Sequence, residues 1–324
     1  MKLTFVNVGY GEAILLECPD PARESGTFVM LIDGGGARAE EFADAASGRL
    51  PLAEYLRAAG TDHIDVMVST HIHEDHLCGL VPAAELLPPG ELWQTFSPDL
   101  AAQMHELDNS AGRNLSQDNF MRALNDYRAL CNGMTAQGRS VRKLAPGMSG
   151  SLCDGLTWQV LAPAPEACAA LEADLRKLYQ ETGEVFFETL DRLDRSMNNG
   201  SMMLLLDYRG TRILLPGDTN VGGYEGIDPA SLRAHLFKIG HHGQLDGADQ
   251  ALLDKIQPDA VVCCASSDRR YNSANPEVVE LLRRNGIALY CSDCPEIAGQ
   301  VIPPHRAVCF TVGEAGAISA EYLV

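Results

Sequence analysis

The sequence predicts an α/β protein, and three observations support this fold class. Short apolar runs typical of strands recur along the 324 residues, helical patterns separate several of them, and 46% hydrophobic residues can fill a substantial core. The pattern is clearest near the end, where HLFKIG, a helix over 249–256 and DAVVCCAS follow one another. The length allows one large domain or two ordinary ones.

The elements are expected in a definite order. LTFVNV, AILLE and FVMLID predict three strands, a helix covers 51–59 before Gly60, and IDVMVST predicts a fourth strand. Two polar, periodic stretches, 98–131 and 166–195, predict helices on either side of the strand-like LTWQVLAP. The later strands are SMMLLLDY, TRILLPGD, HLFKIG, DAVVCCAS, IALYCSD and AVCFTV, with helices over 249–256 and 276–285 between them.

The charge balance limits the partners of the protein. Lys and Arg number 25 against 44 Asp and Glu, a net charge of −19, and there is no dense basic run. Such a surface repels polyanions at long range, so binding of extended nucleic acid is disfavoured, whereas a local positive site such as a bound metal remains compatible. A small substrate is therefore favoured over a nucleic acid strand.

The apolar segments and the cysteines indicate the compartment. No stretch approaches the roughly 18 apolar residues that cross a bilayer. The beginning, MKLTFVNVGYGEAILLE, carries Gly9, Glu12 and Glu17 where a signal peptide needs an unbroken apolar segment. The ten cysteines lack the spacing of a disulfide framework, which indicates reduced thiols. We therefore expect no membrane contact and a cytoplasmic location.

The stretch STHIHEDHLCGL concentrates ligand-type side chains directly after a predicted strand. Alternate residues of an extended segment point the same way, so His71 and His73 can bind one ion. Asp75 and His76, at the following turn, can face a second ion. Two ions about 3.5–4 Å apart can clamp and cleave an ester. Solvated loop residues are the alternative interpretation, but four ligand-type residues at fixed places rarely arise by chance.

Three predicted strands each end in a residue of this kind. IDVMVST ends at His71, TRILLPGD ends at Asp218, and HLFKIG ends at the pair His241 and His242. The carboxyl ends of strands gather functional loops in sheet-based folds, so we expect these residues to share one site. A carboxylate that arrives from a separate strand, such as Asp218, is suited to bridge two ions.

HIHEDH resembles the HxHxDH signature of the metallo-β-lactamase fold superfamily, whose fold is a four-layer αββα sandwich with a dinuclear metal site at its edge. FVNVGYGEAILLE, LIDGGG, NNGSMMLLLDYRGTRILLPGD, KIGHHG and SSDRRYNSANPEVVELLRRNG narrow the resemblance to the ComEC/Rec2-like hydrolase branch. The resemblance implies a single hydrolase domain over 1–324. The stretches near 97–140 and 166–196 would be helical insertions that could form a cap over the site.

Carried onto this chain, the resemblance implies six metal ligands: His71, His73, Asp75, His76, Asp218 and one of His241 and His242. His241 is favoured because it comes first after its strand. Asp75, His76 and Asp218 would also be the catalytic residues, with Asp75 orienting the nucleophile. Two divalent ions are expected, with zinc as the metal and manganese as the alternative, because mixed nitrogen and oxygen ligands suit both.

The chain departs from the family at three places. Asn198 to Ser201 stand where most members have a further histidine, so solvent or Asn199 would complete the first metal position. The family start DVGQGD appears as NVGYGE over 7–12, and the later NxYGHP appears as YNSANP over 271–276. These changes leave the expected metal ligands in place and alter residues that could handle the substrate.

Other residues could support the site. Lys238 could bring a positive charge to the pocket, or extend outward as strand lysines often do. Ser266 could donate to a substrate phosphate or simply cap its strand. His242 could assist if His241 binds the metal. The run Gly34 to Gly36 predicts a tight turn near the metals rather than a phosphate-binding loop.

We expect a dinuclear metal-dependent hydrolase in which metal-activated hydroxide attacks a phosphodiester, in a nucleotide or in nucleic acid. One alternative is a carboxylic ester, lactone or thioester hydrolase that uses the same site. A third possibility is a non-catalytic metal-binding protein that works with a protein partner docked on the helical stretches.

Overall fold

The computed structural model describes residues 1–324, except for the side chain of Ala45. The described strands are β1 (Lys2–Val6), β2 (Ile14–Pro19), β3 (Thr27–Ile32), β4 (Val66–Val68), β5 (Glu91–Gln94), β6 (Ser140–Lys143), β7 (Ser149–Cys153), β8 (Leu156–Ala162), β9 (Met203–Tyr208), β10 (Thr211–Leu215), β11 (Leu236–Lys238), β12 (Ala260–Cys263), β13 (Ala288–Cys291), β14 (Ala307–Val312) and β15 (Ile318–Leu323).

The described α-helices include three long ones that follow β5 or β8. They are α1 (Leu52–Ala59), α2 (Glu74–Leu77), α3 (Leu80–Leu86), α4 (Leu100–Gln103), α5 (Leu115–Ala136), α6 (Pro165–Leu178), α7 (Gly183–Met197), α8 (Pro229–Leu232), α9 (Gln250–Ile256) and α10 (Pro276–Arg284). Short 3₁₀ turns at Asn198–Gly200, His241–Gly243 and Arg270–Asn272 lie beside the site described below. Among the described helices, none is both long and apolar enough to cross a membrane.

The strands form two mixed sheets. The first has the order β15-β14-β1-β2-β3-β4-β5-β6 and the second has the order β13-β12-β11-β10-β9-β8-β7. In each sheet one half is antiparallel and the other half, β3 to β6 or β10 to β13, is parallel. The parallel halves bring the carboxyl ends of β3, β4, β10, β11 and β12 to one edge of the protein.

Side chains that alternate along the strands build a layered core. On β2, Ile14 and Leu16 enter the cluster between the sheets, whereas Leu15 faces the helices α1, α3 and α5 to α7 on the outside. On the second sheet, Phe237 and Val261 face α8, α9 and α10. Two sheets between two helical layers confirm the predicted four-layer αββα sandwich.

The two stretches predicted to be helical insertions belong to the outer helical layer. In α5, Phe120, Leu124 and Tyr127 lie on one face, as spacings of three and four residues require, and join the cluster over the first sheet. Helices α6 and α7 pack on each other and extend this layer. The beginning of α5 and the end of α7 reach the site at the strand ends.

Candidate metal centre

Four side chains meet at the carboxyl ends of the central strands. They are Asp75, His76, Asp218 and His242, whose ligand atoms lie within 4.8 Å of one another. His242 Nε2 is 2.9 Å from Asp218 Oδ2 and 3.0 Å from Asp75 Oδ2. His76 Nε2 is 3.2 Å from both Asp218 Oδ2 and His242 Nε2. Two imidazole nitrogens and two carboxylate oxygens thus face one point, a donor set that fits a divalent cation such as Zn²⁺.

The charges of this cluster are strongly coupled. Burial raises the pKa of Asp218, but His242, His76 and Lys238 together have a larger, opposite effect and lower it to well below its usual range. Burial lowers the pKa of His242, but Asp218 and Asp75 raise it, to about 9. The protein therefore maintains anionic carboxylates beside imidazoles that would exchange their protons for a metal.

Asp33, directly after β3, fixes the orientation of two of the histidines. Its Oδ2 accepts from Thr70 Oγ1 at 2.6 Å and lies 2.8 Å from His76 Nδ1. Because the Thr70 hydroxyl gives its proton to Asp33, it can only accept from His71 Nδ1, 3.0 Å away. Both histidines therefore carry their proton on Nδ1 and leave Nε2 free to bind a metal. The sequence reasoning missed this role, although an acid after a buried strand in LIDGGG was a visible signal.

The glycine run after Asp33 packs the motif closely against the sheet. Gly34 N donates to His76 O at 2.6 Å, and a Cβ on Gly34 would lie 2.4 Å from Leu80 N. A Cβ on Gly79 would lie 1.9 Å from Gly34 O. The run therefore serves as a tight turn with close backbone contact, as the sequence indicated.

The structure places His242, rather than the favoured His241, in the cluster. The backbone turns through left-handed φ angles of 47° and 52° at these two residues. His242 Nδ1 donates to Cys264 O at 2.8 Å, which directs Nε2 to the carboxylates. His241 Nδ1 lies 2.8 Å from Asp246 Oδ1, and its side chain lines the wall of the cavity. The candidate ligand set therefore takes His242 in place of His241.

A second pair of ring nitrogens converges beside the first cluster. His71 Nε2 and His73 Nδ1 are 3.1 Å apart, as expected for two imidazoles that share an ion. His73 Nε2 is 3.2 Å from Asp194 Oδ1 on α7. Burial, together with His76 and His73, lowers the pKa of His71 well below its usual value, which keeps this imidazole neutral and available as a ligand.

The 3₁₀ turn after α7 presents Asn198 to the cavity that His73 also lines, whereas Asn199 does not line this cavity. Asn199 is exposed, and its Oδ1 accepts from Asn220 N at 3.1 Å. Asn198 lines the same cavity as His73, and its buried Oδ1 has no hydrogen-bond partner among the described residues. The expectation for Asn199 therefore passes to its neighbour, one residue earlier in the chain.

Lys238 points inward and is fully buried. Its Nζ donates to Gly217 O at 2.7 Å and to Asp218 Oδ1 at 3.0 Å, and it forms an ion pair with Glu12. Burial lowers the pKa of Lys238, but Glu12 and Asp218 raise it well above its usual value. Lys238 therefore holds one oxygen of Asp218 and leaves the other to the histidines.

Ser266 is buried and does not line the cavity; its Oγ accepts from Arg270 N at 3.2 Å. Of the two interpretations offered by the sequence, this contact favours a structural cap for the loop after β12.

A cavity of about 300 Å³ is lined by Asp75 and Asp218 of the first cluster and by His73 of the second. Its lining includes four carboxylates, namely Glu74, Asp75, Asp194 and Asp218. Arg270 is the one lysine or arginine among the described lining residues, and Tyr10, Phe120 and Tyr271 supply aromatic surface. The cavity accepts a small molecule, and an anionic substrate would need bound cations to offset the carboxylates.

No family model matches the chain. ComE operon protein 3 of Bacillus subtilis (strain 168) is 21% identical over 302 residues, which cover 90% of this chain and 32% of that protein. The chain thus spans about a third of the length of this curated relative.

Two solved structures are similar at low sequence identity. Zn(2+)-bound PqqB from Methylobacterium extorquens is 12% identical with a TM-score of 0.46, covering 90% of this chain and 98% of that chain. A metallo-β-lactamase from Cronobacter sakazakii is 13% identical with a TM-score of 0.37, covering 72% of this chain and 73% of that chain. The two-sheet, four-layer architecture and the motif HIHEDH agree with the expected metallo-β-lactamase fold, and the chain is similar in sequence to ComE operon protein 3.

Proposed function

We propose that the protein is a metal-dependent hydrolase that cleaves a phosphodiester bond in a small, nucleotide-sized substrate. The observation that carries this proposal is that two neighbouring ligand clusters, from three strand ends, each contribute to the lining of one cavity, the first through Asp75 and Asp218 and the second through His73. Structural histidines and acids would not need free ring nitrogens that face one another at the bottom of an open pocket.

Each cluster would hold one divalent ion. Asp75, His76 and His242 form the first ligand set, and Asp218 contributes Oδ2 to it. His71 and His73 form the core of the second set, which Asn198 would complete through Oδ1. Zinc fits these nitrogen-rich ligands, and manganese is the alternative.

A divalent ion bound here supplies Lewis acidity and lowers the pKa of water toward neutrality. The residues of the chain hold and orient the participants. Lys238 fixes Asp218 as an anion with one oxygen directed at the site. Asp33 keeps the Nε2 atoms of His71 and His76 free of protons. Arg270 lines the cavity, and its guanidinium can donate hydrogen bonds to a phosphate oxygen.

The size and charge of the site favour a small phosphodiester. A cavity of about 300 Å³ encloses a ligand of nucleotide size, and the net charge of −19 disfavours a long polyanion that would extend over the surface. The four lining carboxylates are also compatible with an uncharged carboxylic ester, lactone or thioester, so these substrates belong in the same assay.

The test combines metal analysis with hydrolysis. We expect purified protein to contain two zinc or manganese ions per chain and to cleave bis(p-nitrophenyl) phosphate, with both properties reduced in His73→Ala. Single-stranded DNA of about 20 nucleotides should be a poorer substrate than a dinucleotide. Bound metal with cleavage of a lactone or thioester alone would transfer the proposal to that class. Absence of metal after repletion would leave a non-catalytic protein, whose partner would then be sought on the helical layer.

A further inference from the structure

Tyr271 stands at the mouth of the cavity on a strained loop. Its side chain is 59% exposed, which is unusual for a large aromatic residue beside a buried cluster. Tyr271 and its neighbours Arg269 and Asn272 all have left-handed φ angles, of 54°, 49° and 59°. Three non-glycine residues in this region carry a conformational cost, and such strain persists mainly at functional sites.

Several hydrogen bonds hold this loop in place. Arg269 Nη2 donates to Ala274 O at 3.0 Å, and Ala274 N donates to His242 O at 3.1 Å. The second bond joins the loop to the backbone of a candidate metal ligand. Tyr271 is therefore presented to the cavity by a braced segment, and its exposure does not result from a loose loop.

Three rings lead from the mouth of the cavity to the candidate ligands. The Tyr271 and Tyr10 rings are 5.2 Å apart in an edge-to-face contact, and Tyr10 lies 4.5 Å from the His242 ring. Tyr10 is buried, so it supports Tyr271 from behind. The free surface of Tyr271 is thus two ring contacts away from the ligand cluster.

Arg270 places a positive charge beside these rings. Its guanidinium lies 5.6 Å from the Tyr10 ring centre, and Nη1 donates to Glu41 Oε2 at 2.6 Å. The ion pair fixes the position of the guanidinium, and 38% of the Arg270 side chain remains exposed to the cavity and the solvent. A ligand that carries a flat ring and an anionic group could therefore contact Tyr271 with its ring and Arg270 with its anion.

We propose that Tyr271, supported by Tyr10 and flanked by Arg270, is the stacking platform for the base of a nucleotide whose phosphodiester lies over the candidate metal ligands. The inference rests on the proposed function and narrows its substrate class to phosphodiesters that carry a nucleobase. Stacking on an aromatic side chain tolerates any base, because every base has a π face. The platform therefore selects for nucleotides over phosphoesters that lack a ring, without a preference for sequence.

The test measures equilibrium binding by calorimetry to the zinc-loaded full chain, with AMP and ribose 5-phosphate as probes. The two probes share a phosphate and a sugar and differ in the base. We expect AMP to bind at least about tenfold more tightly to the wild type. Tyr271→Ala should reduce this ratio to about two or less, and Tyr271→Phe should retain it, with ribose 5-phosphate binding alike to all three proteins.

Equal binding of both probes to the wild type, or a ratio that survives in Tyr271→Ala, would overturn the inference, as would failure of both probes to bind. The outcome is separate from that of the hydrolase assay. If the protein cleaves bis(p-nitrophenyl) phosphate but does not prefer AMP, the stacking role of Tyr271 is wrong and the proposed hydrolase activity is supported. If AMP binds more tightly in a manner that depends on Tyr271 but no phosphodiester is cleaved, the stacking role is supported and the proposed hydrolase activity is wrong.

Discussion

Lys238 Nζ lies 3.0 Å from Asp218 Oδ1, and both side chains are buried. The two oxygens of the Asp218 carboxylate therefore have different partners, because Oδ1 contacts Lys238 and Oδ2 faces the Nε2 atoms of His76 and His242. Asp218 can therefore reach candidate metal positions through Oδ2 while Lys238 holds Oδ1. The lysine acts on the site through Asp218 and positions it.

Removal of Lys238 should be strongly destabilising. In Lys238→Met, Glu12 and Asp218 both lose a buried cation, and we expect the free energy of unfolding of the metal-free protein to fall by about 3–5 kcal/mol. Urea denaturation in the presence of a chelator measures this change. The double variant Glu12→Gln/Lys238→Met should recover part of the loss. A loss below about 1 kcal/mol in the single variant would contradict the role of the ion pair.

The adjacent histidines after β11 provide a matched pair of variants. His242→Ala should lower the bound metal by about one ion per chain and reduce phosphodiester cleavage at least about 100-fold, because a metal ligand is lost. His241→Ala removes a wall residue and should retain both ions, with activity within about tenfold of the wild type. Elemental analysis and steady-state kinetics check both. The reverse pattern would return the ligand role to His241.

The layers of the fold could be predicted because they follow from local patterns. Apolar runs in the sequence indicate buried strands, and the motif HIHEDH places its candidate ligands within six residues. The sequence does not predict the strands β5, β6, β7 and β15, because β5 covers only four residues and most residues of the other three are polar or partly exposed.

The choice between neighbouring residues could not be predicted from the sequence. His241 and His242 follow the same strand, and the left-handed φ angles that direct His242 inward arise from contacts with the loop after β12. The same reason separates Asn198 from Asn199, since the 3₁₀ turn after α7 decides which amide faces the cavity. Side-chain direction at a turn depends on tertiary contacts that a local pattern does not contain.

The asparagine pair tests the second candidate metal position. Asn198→Ala should lower the affinity for one of two ions about 10- to 100-fold, because it removes a buried carbonyl oxygen without a hydrogen-bond partner from a residue that lines the same cavity as His73. Asn199→Ala loses a bond to Asn220 N on an exposed turn and should leave metal affinity unchanged within about twofold. Competition with a chromophoric chelator measures both affinities. Equal effects of the two variants would exclude Asn198 as a ligand.

Asp33→Asn should weaken metal binding without any change in a ligand. An amide at this position can donate to His76 Nδ1 and so favours the tautomer with its proton on Nε2, the atom that faces the site. We expect the affinity for metal to fall about 10- to 100-fold. Nitrogen NMR of the imidazole rings in the metal-free protein reports the tautomers directly. Unchanged tautomers together with unchanged affinity would show that Asp33 only supports the turn.

Glu172 on α6 links the helical layer to the first sheet and gives the protein an acid-sensitive contact. Its carboxylate accepts from Arg176 Nη2 at 2.7 Å, and from Lys143 Nζ and Ser97 N, each at 3.0 Å. Burial raises the pKa of Glu172, but these three donors together have a larger, opposite effect, so the pKa falls from 4.5 to about 2. The ionised form is therefore the one that the folded state stabilises.

Because the folded-state pKa is lowered, the contribution of Glu172 is complete above the unfolded-state pKa and disappears as the pH falls toward about 2. At pH 7 we expect Glu172→Gln to lose roughly 1–3 kcal/mol of unfolding free energy, a range that allows for solvent screening of the partly exposed Arg176 and Lys143. By about pH 3 more than half of this difference should have vanished. Urea denaturation across this range measures it, with Glu166→Gln, exposed on the same helix, as the control. A difference between Glu172→Gln and the wild type that stays constant down to about pH 3 would show that packing, and not the charge of Glu172, holds α6 on the sheet.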